Sequence, residues 1–395
     1  MKRKLWRFLI GFLIFITTLF GLAWWSATPD IGAVATGQRL ERISSSPQWD
    51  GEGFANRLTR IDGSALEMMG KGFGGSPKIQ RPEQPLPVVS PDPSELATPP
   101  ESGLRVTWLG HSTLLVDIDG IRVLIDPVWG HRTSPWSSVG PARFYPPPLP
   151  LEDLPQVDVV IISHDHYDHL DYPTVSRLSE LNLRWLVPLG IGAHLEHWGV
   201  NPSSITELDW WESASIDEVT LTATPARHFS GRWIDRMDST LWAGWSIRGP
   251  VHAAFYSGDT ALHPEFEEIG RRLGPFDITM MESGAYDSTW TDVHLGPEQA
   301  VIAHQMVGGG LLLPVHWGLF DLANHGWSEP MERLISAAER QGVNVISPRP
   351  GESVELTEPH NSDRWWPETS QTTVENGPVW STSIDDTLRR WWGTD

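Results

Sequence analysis

Residues 163–169 read Ser163-His164-Asp165-His166-Tyr167-Asp168-His169, directly after the apolar run Val157-Asp-Val-Val-Ile-Ile. Imidazole and carboxylate groups are the ligands that zinc and related divalent cations take. His164 and His166 stand two apart and can point one way from an extended segment, while Asp168 and His169 can turn toward a neighbouring second position on the following loop. One short loop can therefore serve two metals. The competing interpretation is a polar surface turn behind a buried strand. That turn would have to collect three His and two Asp in six residues without a chemical reason.

A metal needs ligands from elsewhere in the chain, and candidates stand at the ends of other apolar runs. His228 follows Leu221–Thr224, Asp259 follows Phe255-Tyr256-Ser257-Gly258, and His316 follows Leu311-Leu-Leu-Pro-Val. Singly, each would be an ordinary polar group; with the loop they complete two sites. The chain has no cysteine, which excludes thiolate ligands, disulfides and a thiol nucleophile. Two zinc ions held close together can share a hydroxide at neutral pH, because coordination lowers the pKa of water from about 15.7 toward 7. The same ions can hold the non-bridging oxygens of a phosphodiester as phosphorus becomes five-coordinate.

The elements that must position these groups begin at Leu104. Apolar stretches 105–109 and 114–118, an Asp119-Gly120 hairpin signal and the stretch 121–125 predict a β-meander. Further strands are expected at 157–163, 184–187, 219–224, 242–247, 253–257, 278–281 and 311–315. Helical patterns cover 174–181, 264–273, 297–306 and 329–340. Hairpins mixed with strand-helix units suggest α+β or α/β sheets covered by helices.

The H-x-H-x-D-H loop with His228, Gly258-Asp259 and His316 resembles the zinc site of the metallo-β-lactamase superfamily, over roughly residues 104 to 357. Longer strings are similar to its N-acyl-phosphatidylethanolamine phospholipase D branch. They include Trp108-Leu-Gly-His-Ser-Thr, Ile125-Asp-Pro-Val, Gly140-Pro-Ala-Arg-Phe, Leu208-Asp-Trp-Trp-Glu and Val315-His-Trp-Gly. The resemblance implies an αββα sandwich with two zinc ions at one edge. It places one zinc on His164, His166 and His228, the other on Asp168, His169 and His316, with Asp259 bridging them. It also implies that His294 donates to the phosphate or the leaving oxygen, and that Asp168 and Asp259 take part in catalysis. His111 is expected to shape the first hairpin or support the site, and Asp126 and Tyr286 to orient metal-bound histidines or line the entrance. The chain departs from the branch where relatives read Pro-Ile-Gly-Ala-Tyr-Glu-Pro-Arg-Trp: it carries Glu282-Ser-Gly-Ala-Tyr-Asp-Ser-Thr-Trp290. A carboxylate is gained at Glu282 and a base is lost at Thr289, which leaves the head group open.

The N-terminus carries Lys2, Arg3, Lys4 and Arg7, then runs uncharged from Phe8 to Thr28. Such a stretch predicts a transmembrane anchor at 1–28, with a cleaved signal peptide as the alternative; the flanking charges place the body on the periplasmic or extracellular side of the inner membrane. Residues 29–103, rich in Gly, Pro and Ser, suggest a linker or wrapping arm, 104–358 the hydrolase domain, and 359–395 a Trp-rich tail. With 50 acidic against 29 basic residues, the net charge of −21 argues against nucleic acid as a partner. A lipid with a single phosphate remains compatible with it.

The expected activity is zinc-dependent cleavage of a lipid phosphodiester by a metal-bridging hydroxide, with a phospholipid and the membrane as partners and a homodimer as a further association. A lactonase or other carboxyl-ester hydrolase is the enzymatic rival, since the same nucleophile attacks a carbonyl. From a different class, a non-catalytic zinc-binding envelope protein is the third reading; the complete ligand set argues against it.

Overall fold

Side-chain alternation along the strands sets the layers. In the strand Thr113–Ile118, Leu114, Val116 and Ile118 enter one apolar cluster and Leu115 enters another. In the strand Ala253–Tyr256, Ala254 and Tyr256 face the first cluster while Phe255 faces a third. Strands apolar on both faces need cover on both faces. The computed structural model, which describes residues 2–58, 60, 80–356, 364–367 and 379, meets that need with two seven-stranded sheets packed face to face and helices outside each. This is the αββα sandwich.

The first sheet runs in spatial order Ser353–Glu355, Leu104–Gly110, Thr113–Ile118, Ile121–Ile125, Val159–Ile161, Arg184–Pro188 and Ile205–Leu208, antiparallel as far as Ile121–Ile125 and parallel after it. Asp119 and Gly120 turn its central hairpin with φ of +46° and +94°, as a type I′ turn requires. The second sheet runs Asn344–Val345, Gly309–Val315, Phe276–Glu282 and Ala253–Tyr256 in parallel. Gly244–Arg248, Val219–Thr224 and Ser213–Ile216 then follow as antiparallel neighbours. Helices Tyr172–Leu178 and Ile191–His197 cover the first sheet through Val175, Leu178, Ile191 and Leu195. Phe266, Ile269, Val301, Ile302, Leu334 and Ala337 cover the second from helices Glu265–Leu273, Pro297–Met306 and Glu329–Gln341.

Tryptophan serves the interior here. Trp108, Trp185, Trp242 and Trp245 are fully buried, and Trp245 Nε1 donates to the Ile162 carbonyl at 3.0 Å, tying the second sheet to the backbone that leads into the histidine loop. Trp365 stacks on Trp317, with ring centroids 5.2 Å apart. Apart from residues 364–367 and 379, the expected Trp-rich tail lies outside the described residues, as do residues 61–79 of the arm.

The expectation of a transmembrane anchor is overturned. Lys2–Ile31 forms a helix, but among the described residues no helix is long and apolar enough to cross a membrane. Its final turns are committed to the body instead. Ala27 and Ile31 are buried, Trp198 Nε1 donates to the Pro29 carbonyl at 2.7 Å, and Arg232 Nε to the Asp30 carbonyl at 2.7 Å. The membrane as a partner and the single-pass placement read from the flanking charges fall with the anchor. Hydropathy registered an uncharged run; it could not register that the end of the run is a docking contact.

Candidate metal centre

The residues expected to hold metal come together at one edge of the sandwich, each just past the end of a strand. Asp126 follows Ile121–Ile125, the loop 163–169 follows Val159–Ile161, and His228 follows Val219–Thr224. Asp259 follows Ala253–Tyr256, Glu282 closes Phe276–Glu282, and His316 follows Gly309–Val315. His294 approaches from the loop before helix Pro297–Met306. Gly258 is dictated by the close approach: at φ +59°, a Cβ there would stand 2.7 Å from the Ala243 carbonyl and 3.0 Å from the Ser163 Cβ.

Two groups of potential ligands assemble around the histidine loop, His164, His166, His228 and Asp259, and His111, Asp168, His169 and His316, while Asp259 and His316 form a third with Glu282 and His294; in each the ligand atoms lie within 4.8 Å of one another. Asp259 Oδ2 links them. It lies 3.0 Å from His316 Nε2, 3.2 Å from His169 Nε2, 3.7 Å from His164 Nε2 and 3.8 Å from His228 Nε2. Despite the short approaches, His169 Nε2, His316 Nε2 and Asp259 Oδ1 are buried with no hydrogen-bond partner among the described residues. They face shared space rather than each other.

Hydrogen bonds on the far side of each ring fix which nitrogen faces that space. His228 Nδ1 donates to the Val293 carbonyl at 2.7 Å, leaving the Nε2 lone pair inward. Ser163 Oγ donates to Asp126 at 2.6 Å and so accepts from His164 Nδ1 at 3.0 Å, again leaving Nε2 inward. His166 Nδ1 then meets two lone pairs, at 2.8 Å from His164 Nε2 and 3.2 Å from His228 Nε2. One proton cannot satisfy three converging nitrogens; a divalent cation can. This donor set fits zinc or a similar ion.

Electrostatics points the same way. Burial depresses the pKa of His164 and His228 well below the ordinary imidazole value, keeping both rings neutral. Burial also acts on His169 and His316, but the Asp259 and Asp168 carboxylates outweigh it, lifting His169 well above the usual range and His316 to about 10. Burial likewise opposes ionisation of Asp168 and Asp259, yet the adjacent His169 holds both well below the usual carboxylate range. The two carboxylates therefore draw positive charge to this edge, as protons on His169 and His316 or as metal cations in their place.

Asp126 is a hub. One oxygen accepts from His169 Nδ1 at 2.7 Å, Ser163 Oγ at 2.6 Å and Tyr256 OH at 2.6 Å, and the other from the Ser163 amide at 2.7 Å. His111 Nε2 meets Asp168 Oδ2 at 2.9 Å, closer to the centre than a hairpin-shaping role demands. Tyr286, by contrast, orients no histidine of the cluster: its hydroxyl donates to Glu329 at 2.9 Å and its ring stacks on His325. His111, Asp126 and His316 have φ of +53°, +39° and +63°, left-handed backbone that costs about 1–2 kcal/mol each and is held by surrounding contacts.

Two supports escape sequence reading. Arg232 donates to the Asp165 and Leu170 carbonyls, both at 2.7 Å, while lying over the Tyr167 ring, and so clamps both ends of the histidine loop. Asn56, in the presumed arm, donates to the His228 carbonyl at 2.6 Å and accepts from the His228 amide at 3.1 Å. No periodicity or motif marks either residue. Asn56→Ala is expected to weaken zinc binding about 10–100-fold, the usual cost of removing a ligand's outer support. Zinc titration checks this, with the circular dichroism spectrum unchanged; unaltered affinity would assign Asn56 no part in holding His228.

Comparison with known proteins follows the same lines. Residues 121–317 match a family described as Beta-lactamase superfamily domain. An uncharacterized protein of Mycobacterium tuberculosis is 51% identical over 329 residues, covering 81% of this chain and 87% of that protein. The N-acyl-phosphatidylethanolamine-hydrolyzing phospholipase D 1 of Caenorhabditis elegans is 39% identical over 247 residues, covering 59% of this chain and 69% of that protein. Among solved structures, an isothiocyanate hydrolase from Delia radicum gut bacteria superposes with a TM-score of 0.52 at 21% identity, covering 64% of this chain and 98% of that one.

Proposed function

Because the chain belongs to the metallo-β-lactamase superfamily, we propose that it is a two-zinc hydrolase of a lipid phosphodiester, cleaving on the head-group side as a phospholipase D does. The reading rests on Asp259 Oδ2, which approaches histidines of both ligand groups. In it, His164, His166 and His228 would hold one ion and Asp168, His169 and His316 the other, with Asp259 available to both. Zinc bound there would supply Lewis-acid polarisation of a phosphoryl oxygen and a lowered pKa for water. The phosphodiester class is favoured by the likeness to the Caenorhabditis elegans protein, whose name states that activity.

The chain's own residues do the rest. Asp126, Ser163 and the Val293 carbonyl hold three imidazoles in the tautomer that faces the centre. His294, whose side chain keeps 13% of its exposure, stands at the rim with Nδ1 3.9 Å from Asp259 Oδ2, and in this reading its ring supplies a proton to the departing oxygen.

The test is a product analysis on zinc-loaded protein given an N-acylated phosphatidylethanolamine. Phosphatidic acid and an N-acylethanolamine are the expected products. Diacylglycerol with a phosphorylated head group would contradict the regiochemistry, and strong turnover of lactones with none of phosphodiesters would replace the substrate class.

A further inference from the structure

Glu282 is fully buried at the end of the strand Phe276–Glu282, where the sequence departs from the phospholipase-like pattern. Two backbone amides and one imidazole nitrogen reach its carboxylate. Oε1 accepts from the backbone amides of Thr260 and Leu295, the latter at 3.3 Å, and Oε2 lies 2.8 Å from His294 Nδ1. The two amides flank the cluster itself, since Thr260 follows Asp259 and Leu295 follows His294. Backbone amides can only donate, so Oε1 is an acceptor in any protonation state; burial raises the Glu282 pKa, and the facing His294 opposes that shift and favours the carboxylate. When that carboxylate is ionised, Nδ1 carries hydrogen toward Glu282, and imidazole geometry turns Nε2 away from it.

We propose that Glu282 is a positioning residue for His294, holding the imidazole with Nδ1–H on its carboxylate and Nε2 toward the leaving group of the substrate. The inference rests on the hydrolytic reading above and names what that reading left open, how a rim histidine is oriented. In the hydrolytic step the oxygen of water bonds to phosphorus and the bond from phosphorus to the leaving oxygen breaks, its electron pair staying on that oxygen. The leaving oxygen takes the proton from Nε2, and the attacking water's proton restores the ring through solvent. After transfer the neutral ring still carries Nδ1–H, and Glu282 still accepts it. With glutamine at 282, an amide N–H₂ can face Nδ1 instead, which favours the tautomer with hydrogen on Nε2. That neutral ring would have to become an anion to release its hydrogen, so proton donation fails while the fold persists.

The experiment uses the full chain loaded with zinc and four forms: wild type, Glu282→Gln, His294→Asn and the double variant. Substrates are matched pairs, phosphodiesters and carboxylic esters, each with a 4-nitrophenolate or an alkanol leaving group. Glu282→Gln should lower kcat about a hundredfold on the alkanol member, the low end for a positioned general acid. It should change kcat on the 4-nitrophenyl member less than about threefold, with KM and zinc content preserved. His294→Asn should show the same contrast, and the double variant should be no worse than His294→Asn alone. Equal losses on both leaving groups, loss of zinc, or multiplying effects in the double variant would overturn the proposal. Turnover of esters but no phosphodiesters would overturn the substrate class instead, with the leaving-group contrast on esters still deciding the role of Glu282. A readout independent of activity is nitrogen NMR of histidine-labelled wild type, with the His294 signals identified by their loss in His294→Asn. Hydrogen on Nδ1 supports the proposal, and the opposite tautomer overturns it.

Discussion

Asp259→Ala is expected to reduce bound zinc from about two ions per chain to fewer than one and to lower hydrolysis by about a thousandfold or more. One carboxylate oxygen stands within 3.2 Å of His169 and His316 and within 3.8 Å of His164 and His228, so its removal strips an anionic ligand from both groups at once. Metal polarisation supplies several kcal/mol of transition-state stabilisation, and each ~1.4 kcal/mol is a factor of ten in rate. The truncation also leaves four histidine nitrogens facing one another without the negative charge that favours a cation among them. Asp259→Asn, which keeps shape and loses charge, should fall between the two. Elemental analysis beside steady-state rates checks the expectation. Two retained ions with full activity in Asp259→Ala would exclude the shared-carboxylate arrangement.

Much of the centre was legible because its ligands follow apolar strands, and strand ends are where a sheet brings distant residues to one rim. His228, Asp259 and His316 sit one to four residues past strands whose β-branched and aliphatic runs announce themselves. Elements with weak patterns were not legible. The strand Ile205–Leu208 has only Leu208 buried, and Ser213–Ile216, although its Ala214 and Ile216 alternate with two serines, is four residues long with only Ile216 buried, too short a run to read. Ser353–Glu355 is ordered by pairing with Leu104–Gly110 about 250 residues earlier, a partner that no local window contains. Asn56 and Arg232 act through side-chain contacts to backbone, which carry no spacing rule. Tyr286 shows the converse: the tripeptide Gly284-Ala-Tyr matched a known string, yet its hydroxyl belongs to Glu329 in the helix Glu329–Gln341. The N-terminal helix was misassigned for a related reason, since composition describes the run and says nothing of what Pro29 and Asp30 bond to.

Asp126 presents the second large effect, because fold and chemistry meet in one carboxylate. Asp126→Ala removes the acceptor for Ser163 N and Oγ, His169 Nδ1 and Tyr256 OH, all buried. A lost hydrogen bond that strands a buried polar group costs about 1–3 kcal/mol, and breaking a buried ionic contact about 3–5 kcal/mol. Tyr256 and Ser163 can regain part of this by rotating their hydroxyls, whereas the Ser163 amide and the His169 ring cannot move without moving the strand end or the loop. A net loss of about 3–5 kcal/mol is therefore expected, lowering the thermal midpoint by about 5 °C, at roughly 1 °C per kcal/mol for a chain of 395 residues. Asp126→Asn separates the two roles. Its carbonyl oxygen can keep one set of donors while its N–H₂ faces the others, so the stability loss should be smaller. The same N–H₂ pushes His169 toward the tautomer with hydrogen on Nε2, the nitrogen that faces Asp259. Zinc affinity should then fall about 10–100-fold while the midpoint falls by less than half as much as in Asp126→Ala. Scanning calorimetry with and without a chelator, set beside zinc titration, measures both quantities. If the two variants lose affinity and stability in the same proportion, Asp126 is a structural hub alone, and the orientation of His169 must come from elsewhere.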